Sequence, residues 1–220
     1  MSEAEKGEEV YQLHICLEGI SPMIWRRILI HSDSTLEDLH NIIQITMDWS
    51  NYYLHQFSIR GKEYAVSRMH LCLNEAREIT LSDLRLRLNE RFLYEYSFFE
   101  WWQHRIRLEK RYPVQPGKIY PFCSGGSGAP PPEDCGGVNG FMRRRQHFSQ
   151  GYILSRILEL LQYFRDDTFP DDYEMELFQE EFEVFSYWLD VDKCDRRTIN
   201  RRLKWYAAQD ERWMEGLDVI

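Results

Sequence analysis

No run of apolar residues in this 220-residue chain is long enough to cross a bilayer, and the opening MSEAEKGEEV lacks the apolar core of a signal peptide. The reading that follows is a cytoplasmic protein with no membrane partner and a disordered leader over residues 1–9. Positive charge is also short. Lys and Arg number 27 against 36 Asp and Glu, a net charge of −9, so the average surface repels a phosphate backbone and any nucleic-acid contact needs a local basic patch. The five cysteines, Cys16, Cys72, Cys123, Cys135 and Cys194, are odd in number and widely spread. That pattern fits reduced thiols better than a disulfide framework. The chain has no phosphate-binding Gly-rich loop, no Gly-x-Ser-x-Gly elbow, no His-Glu-x-x-His helix, no internal repeat and no low-complexity tract.

What the chain does have is aromatic strands. At 43% hydrophobic it can fill the core of one domain, and two stretches alternate strictly. In RFLYEYSF, Phe92, Tyr94, Tyr96 and Phe98 share one face. In WQHRIRLEK, Trp102, His104, Ile106 and Leu108 do the same, so a central hairpin turning near Phe99–Trp101 is expected. Upstream, Val10–Leu17 and Ile24–Ile30 read as an opening hairpin, and YYLHQFSIRGKEYAV as two strands turning at Gly61-Lys62. Ser34/Glu37 and Thr35/Asp38 have capping-box spacing ahead of Leu36, Leu39, Ile43 and Met47, which predicts a helix over 35–47. Ser67–Glu78 shows no clean period, and Thr80-x-x-Asp83 suggests a further short helix.

Downstream, PVQPGKIYPFCSGGSGAPPPEDCGGVNG carries too much Gly and Pro for regular structure over much of its length. Helical stripes return in Ile153, Leu154, Ile157, Leu158, Leu161 and Phe164, and in Phe178, Phe182, Phe185, Trp188 and Leu189. An acidic run over Asp166–Glu183 precedes a basic helix with Arg196, Arg197, Arg201, Arg202 and Lys204, for which it offers counter-charge. The expected fold is α+β: a mixed or antiparallel sheet with an early packed helix, over residues 10–142, and a C-terminal helical region, 143–220, packed on it.

Three ordered segments, EGISPMIWRRILIHSDSTLEDLHNIIQITMDWSNYYLHQFSI, RFLYEYSFFEWWQHRIRLE and YPFCSGGSGAPPPEDCGGVNGF, resemble the plasmid pRiA4b ORF-3-like family. Some members of that family are labelled passengers of transposable elements. The resemblance spans roughly residues 10–142 with an echo at Thr198–Leu203, and it implies an α+β domain but little chemistry. Tyr96, Phe98, Trp102 and His104 match the family's hairpin motif, while Ser97, Phe99 and Glu100 stand where Asp, Gly and Asp are usual. In the loop motif Glu133, Asp134, Cys135, Gly136 and Gly137 match, and Ala129 or a proline takes the place of the first cysteine.

The leading functional expectation is a non-catalytic binding or accessory protein of a plasmid, phage or transposon, with an unidentified protein or nucleic-acid partner. It would use the groove between the central hairpin and the Gly/Pro-rich loop, where Trp101, Trp102 and His55 could contact a ligand. This reading needs no cofactor. The alternative is a metal-dependent hydrolase or nuclease, with His104, Glu100, Glu133 and Asp134 as catalytic candidates and His104, Cys123 and Cys135 as zinc ligands, donor types that suit that metal. Against it, neither cysteine has a close second ligand, and loop carboxylates often accept backbone amides. A third reading gives the basic helix, through Arg201 and Arg202, a nucleic acid to bind.

Overall fold

The computed structural model describes residues 9–65, 74–165 and 170–214. The period-two stretches are strands: β1 (Glu9–Leu17) and β2 (Trp25–His31) make the opening hairpin, and β3 (His55–Ile59) and β4 (Lys62–Ala65) the second, turning at Arg60-Gly61. A two-residue β5 (Asn74–Glu75) lies beside β4. β6 (Arg91–Tyr96) and β7 (Trp102–Pro113) are the central hairpin, and β8 (Phe122–Ser127) falls within the Gly/Pro-rich segment. The sheet order is β5-β4-β3-β6-β7-β1-β2-β8, antiparallel between all neighbours except the parallel β4–β5 edge. Five helices accompany it among the described residues: α1 (Leu36–Met47), α2 (Gly137–His147), α3 (Gln150–Arg165), α4 (Asp172–Leu189) and α5 (Arg196–Ala207). The fold is α+β.

β7 sits in the middle because its inward residues can be buried from both sides. Trp102, His104, Ile106 and Leu108 are all fully buried, opposite Tyr96, Tyr94 and Phe92 of β6 and Leu17, Ile15 and Leu13 of β1. α1 covers this face with Leu36, Leu39, Ile43 and Met47. Of the two possible capping boxes the one that forms is Thr35 with Asp38, each side chain bonding the other residue's backbone amide. The four described cysteines are free, and Cys72 lies outside the described residues, as do residues 1–8 of the expected leader and most of Ser67–Glu78.

Four expectations need correcting. Thr80 and Asp83 do exchange capping-box hydrogen bonds, but around a turn, because Arg85 two residues on adopts a left-handed φ of 45° and stops any helix. The Gly/Pro-rich segment is more regular than its composition suggests. β8 runs through its Gly-Gly-Ser, because a Cβ on Gly126 would lie 2.6 Å from Cys194 Sγ and 3.1 Å from the Trp25 carbonyl oxygen, so only glycine lets the strand approach so closely. Asn200 of α5 then finishes this edge: its side-chain amide accepts from Cys123 N at 2.7 Å and donates to Cys123 O at 3.0 Å, a strand-like pair supplied by a side chain.

The α3 stripe is only half used. Ile153 and Leu160 are buried, whereas Leu154, Leu158 and Leu161 face outward. Finally, among the described residues no ion pair joins the acidic run to the basic helix. Glu181 pairs with Arg156 of α3, while Arg202 of α5 pairs with Asp48 at the end of α1 and donates to the Trp213 carbonyl at 3.0 Å.

Candidate functional site at the tip of the central hairpin

The loop that follows β8 is fastened to the central hairpin through Glu133. Its carboxylate accepts a short hydrogen bond from the Tyr96 hydroxyl and a second, at 2.7 Å, from Ser50 N just beyond α1. Its backbone carbonyl accepts from Trp102 Nε1 at 3.0 Å, and Trp49 Nε1 donates to Pro131 O at 2.9 Å. Tyr53 donates to Asp134 at 2.8 Å, which is the largest cause of the rise of its phenol to about 12. Glu100 in the hairpin turn accepts a short hydrogen bond from Gly137 N at the start of α2. Hairpin and loop are therefore hydrogen-bonded face to face, and both carboxylates of the Glu133-Asp134 pair have partners within the chain.

Glycine makes the approach possible. A Cβ on Gly140 would fall inside van der Waals distance of the Cys135 carbonyl oxygen, and one on Gly137, which has a φ of 60°, would meet the Glu100 carbonyl oxygen. Cys-Gly-Gly-x-x-Gly is accordingly a backbone-packing motif here.

His104 lies inside the core with no exposed surface, between Tyr94 and the edge of Trp49, and neither ring nitrogen makes a well-formed hydrogen bond, the backbone of Tyr94 across the strand pair offering only a weak one. Burial, with the nearby Arg26 guanidinium adding to it, pushes its pKa down to about 3, so the ring is neutral at ordinary pH. Arg26 is itself buried and bonded to the carbonyls of Thr46, Trp25 and Ser127. Cys123 and Cys135 are buried thiols whose pKa values burial raises to about 11, far from the thiolate that would ligate or attack. Cys123 belongs to β8, and Cys135 lies in the bend two residues before α2. Among the described residues no group of three or more His, Cys, Asp or Glu side chains is placed to hold a metal ion.

Beside the clamp is a polar pocket of about 80 Å³, walled by Glu37, His40, Asn51, Tyr53, His55 and Arg77 among others. His40 and His55 stack with ring centroids 3.5 Å apart and planes 9° from parallel. His40 Nε2 lies 2.6 Å from Asn51 Oδ1, which can only accept, so the hydrogen is on Nε2. Its Nδ1, 2.7 Å from the Tyr94 hydroxyl, then accepts, and Gln44 donates to the same hydroxyl at 2.9 Å. A neutral ring satisfies all of these bonds. His55 was singled out by its strand phase, whereas His40 was missed. Its signal was there in the spacing Leu36, His40, Ile43, Met47, which puts a histidine on the buried face of an amphipathic helix.

The apolar side chains around the clamp are treated differently. Phe99 is 95% exposed, Tyr52 76%, Trp101 55% and Leu54 53%, and Phe98 is half exposed. The rings of Phe98 and Trp101 meet in the hairpin turn with centroids 6.2 Å apart, and Ser97 N bonds to Leu54 O at 3.0 Å, which brings the chain after α1, carrying Tyr52 and Leu54, beside that turn to form the rim. The turn is held by Trp101 N to Ser97 O at 2.6 Å, with left-handed φ values at both residues, 53° at Ser97 and 56° at Trp101. Trp102, by contrast, is fully buried and part of the core. Of the two arginines named for binding, Arg202 is buried in its ion pair, and Arg201 lies over the Trp205 ring at 5.6 Å.

A profile of the family described as plasmid pRiA4b ORF-3-like protein matches residues 9–181. The chain belongs to that family. It is 28% identical over 135 residues to the uncharacterised protein y4hQ of Sinorhizobium fredii, an alignment covering 60% of this chain and 69% of that one. It also superposes on the crystal structure of a protein of unknown function, MM3350 of Methanosarcina mazei Go1, with a TM-score of 0.60 and 34% identity, covering 76% of this chain and 94% of that chain. The family match takes in the clamp, the rim and the pocket, and runs on through α3 into α4. Ser97, Phe99 and Glu100 all lie in the tip that carries the exposed aromatics. No helix among the described residues is long and apolar enough to cross a membrane.

Proposed function

We propose that this protein is a non-catalytic binding or accessory module that takes a protein or peptide partner on the rim formed by Tyr52, Leu54, Phe98, Phe99 and Trp101. One observation carries the reading: the acids and the histidine that could do chemistry are bonded within the chain or buried, while the large apolar side chains next to them are left in solvent. Exposed contiguous aromatics on a rigid frame are what recognition surfaces display, since they offer area at little cost in side-chain entropy. The segment from Asn51 to His55 joins this rim to the polar pocket, so an apolar contact and a polar anchor can be made together. In this reading the α+β body, residues 10–142, presents the partner surface, the helical region beyond it buttresses that body, and the protein works in the cytoplasm. A role beside a plasmid or other mobile element rests on the family's description alone.

The test is a random-peptide display library panned against the wild-type chain, with the Phe99→Ser/Trp101→Ala double variant as counter-selection. Peptides enriched on the wild type alone are the expected result. Equal enrichment on both proteins, with the variant folded by near-ultraviolet circular dichroism, would overturn the proposal.

A further inference from the structure

Away from the hairpin tip, α2 and the turn between β1 and β2 border an open surface cleft of about 680 Å³, lined by Ser21, Asn139, Met142, Arg143, Arg145 and Gln146. Every polar group in that lining is a hydrogen-bond donor or can act as one, and none is a carboxylate. This is unusual for a chain with a net charge of −9. The walls meet closely: a Cβ on Gly19 would lie 2.9 Å from Val138 Cγ1, so the turn rests directly on α2. Glu18, the acidic residue of that turn, is directed to Arg105. Asp192 holds Arg145 at 2.6 Å and leaves its side chain only 17% exposed, which fixes the guanidinium in place. Arg143 has no ion pair among the described residues, although it is exposed on the same helix.

A free guanidinium with flanking hydroxyl and amide donors is a set that recognises a phosphate group, because the planar fork supplies charge and paired donors while the neutral groups complete the oxygens. The volume is within the range of sites for nucleotide-sized ligands. We propose that this cleft is a binding site for a phosphorylated small molecule, with Arg143 as its charge partner, the Asp192-paired Arg145 as a further donor at its edge, and Ser21, Asn139 and Gln146 as neutral donors. It stands independently of the aromatic rim.

Titration calorimetry of the full chain with pyrophosphate at low ionic strength tests it, beside Arg143→Ala, Arg143→Lys, the Arg143→Ala/Arg145→Ala pair, and Arg201→Ala as a remote control. Saturable binding is expected in the wild type, falling about ten-fold in Arg143→Ala and further in the pair, with Arg143→Lys between and Arg201→Ala unchanged. No saturable heat in the wild type, or equal losses in Arg143→Ala and Arg201→Ala, would overturn the site. Overturned too would be the small-molecule assignment if a DNA duplex bound more tightly than pyrophosphate with a dependence on Arg201.

Discussion

Glu133 and His104 sit a few side chains apart, and their burial has opposite origins. Glu133 is 8% exposed because its carboxylate has hydrogen-bond donors to meet, Tyr96 and Ser50 N. Replacing it by Ala leaves the buried Tyr96 hydroxyl and the partly buried Ser50 N without this partner, and a loss of about 3 kcal/mol is expected in urea unfolding. His104 is buried with no strong hydrogen-bond partner. Its folded pKa of about 3 is below the value near 6.5 of an unfolded chain, so above pH 6.5 it adds no pH dependence. As pH falls from 6.5 toward 3 only the unfolded state takes up the proton, and stability drops by an amount on the order of 5 kcal/mol. His104→Leu should abolish that share, so that its stability advantage over the wild type grows between pH 7 and pH 4. A constant difference across those pH values would show that His104 is not held neutral. The alternation of β7 put His104 on the inward face from sequence alone. Nothing in the spacing of Glu133 said which donors it would meet, since they come from residues 37 and 83 positions away.

At the scale of elements, strands with strict alternation and the helix with a capping box were legible, because period and cap are local properties. β8 was not. Its glycines read as loop, and their reason for being in a strand is the approach of Cys194 and Trp25 from elsewhere in the chain. The same long-range crowding fixes Gly140, where Ala should cost at least about 3 kcal/mol, or prevent soluble expression, because the clash is with backbone. A Gly140→Ala protein with unchanged midpoint would contradict that reading of the Cys-Gly-Gly-x-x-Gly motif. Asn200→Leu, which keeps the volume but removes the strand-like pair on β8, should cost about 1–3 kcal/mol by the same measurement. The α3 stripe was found correctly as a helix, yet periodicity does not say how wide a face the rest of the fold will cover, and three of its leucines stay outside.

For the molecule as a whole, order is concentrated in the sheet. β1, β6 and β7 are paired on both sides and roofed by α1, whereas α3 and α4 expose much of their length. Native-state hydrogen exchange should therefore show the amides of β1, β6 and β7 exchanging only through global unfolding and those of α3 and α4 through smaller openings. Equal protection in α3 and β7 would contradict this division. Composition had already set the broad outline, enough apolar residues to fill one domain's core and a net charge of −9, and periodicity added the α+β class. It could not show that the polar centre is a clamp and the aromatic rim is the exposed part, because that depends on which side chains the long-range pairing of hairpin and loop leaves over.

The contrast between clamp and rim can be measured directly, as the affinity of a rim-selected peptide for four folded proteins: wild type, His104→Leu, Glu133→Gln and Phe99→Ser/Trp101→Ala. Binding within about two-fold of wild type in the first two variants, whatever their stability, and a loss of more than about ten-fold in the rim variant is the expected pattern. Loss of binding in His104→Leu with retention in the rim variant would place the function in the buried centre and contradict the account.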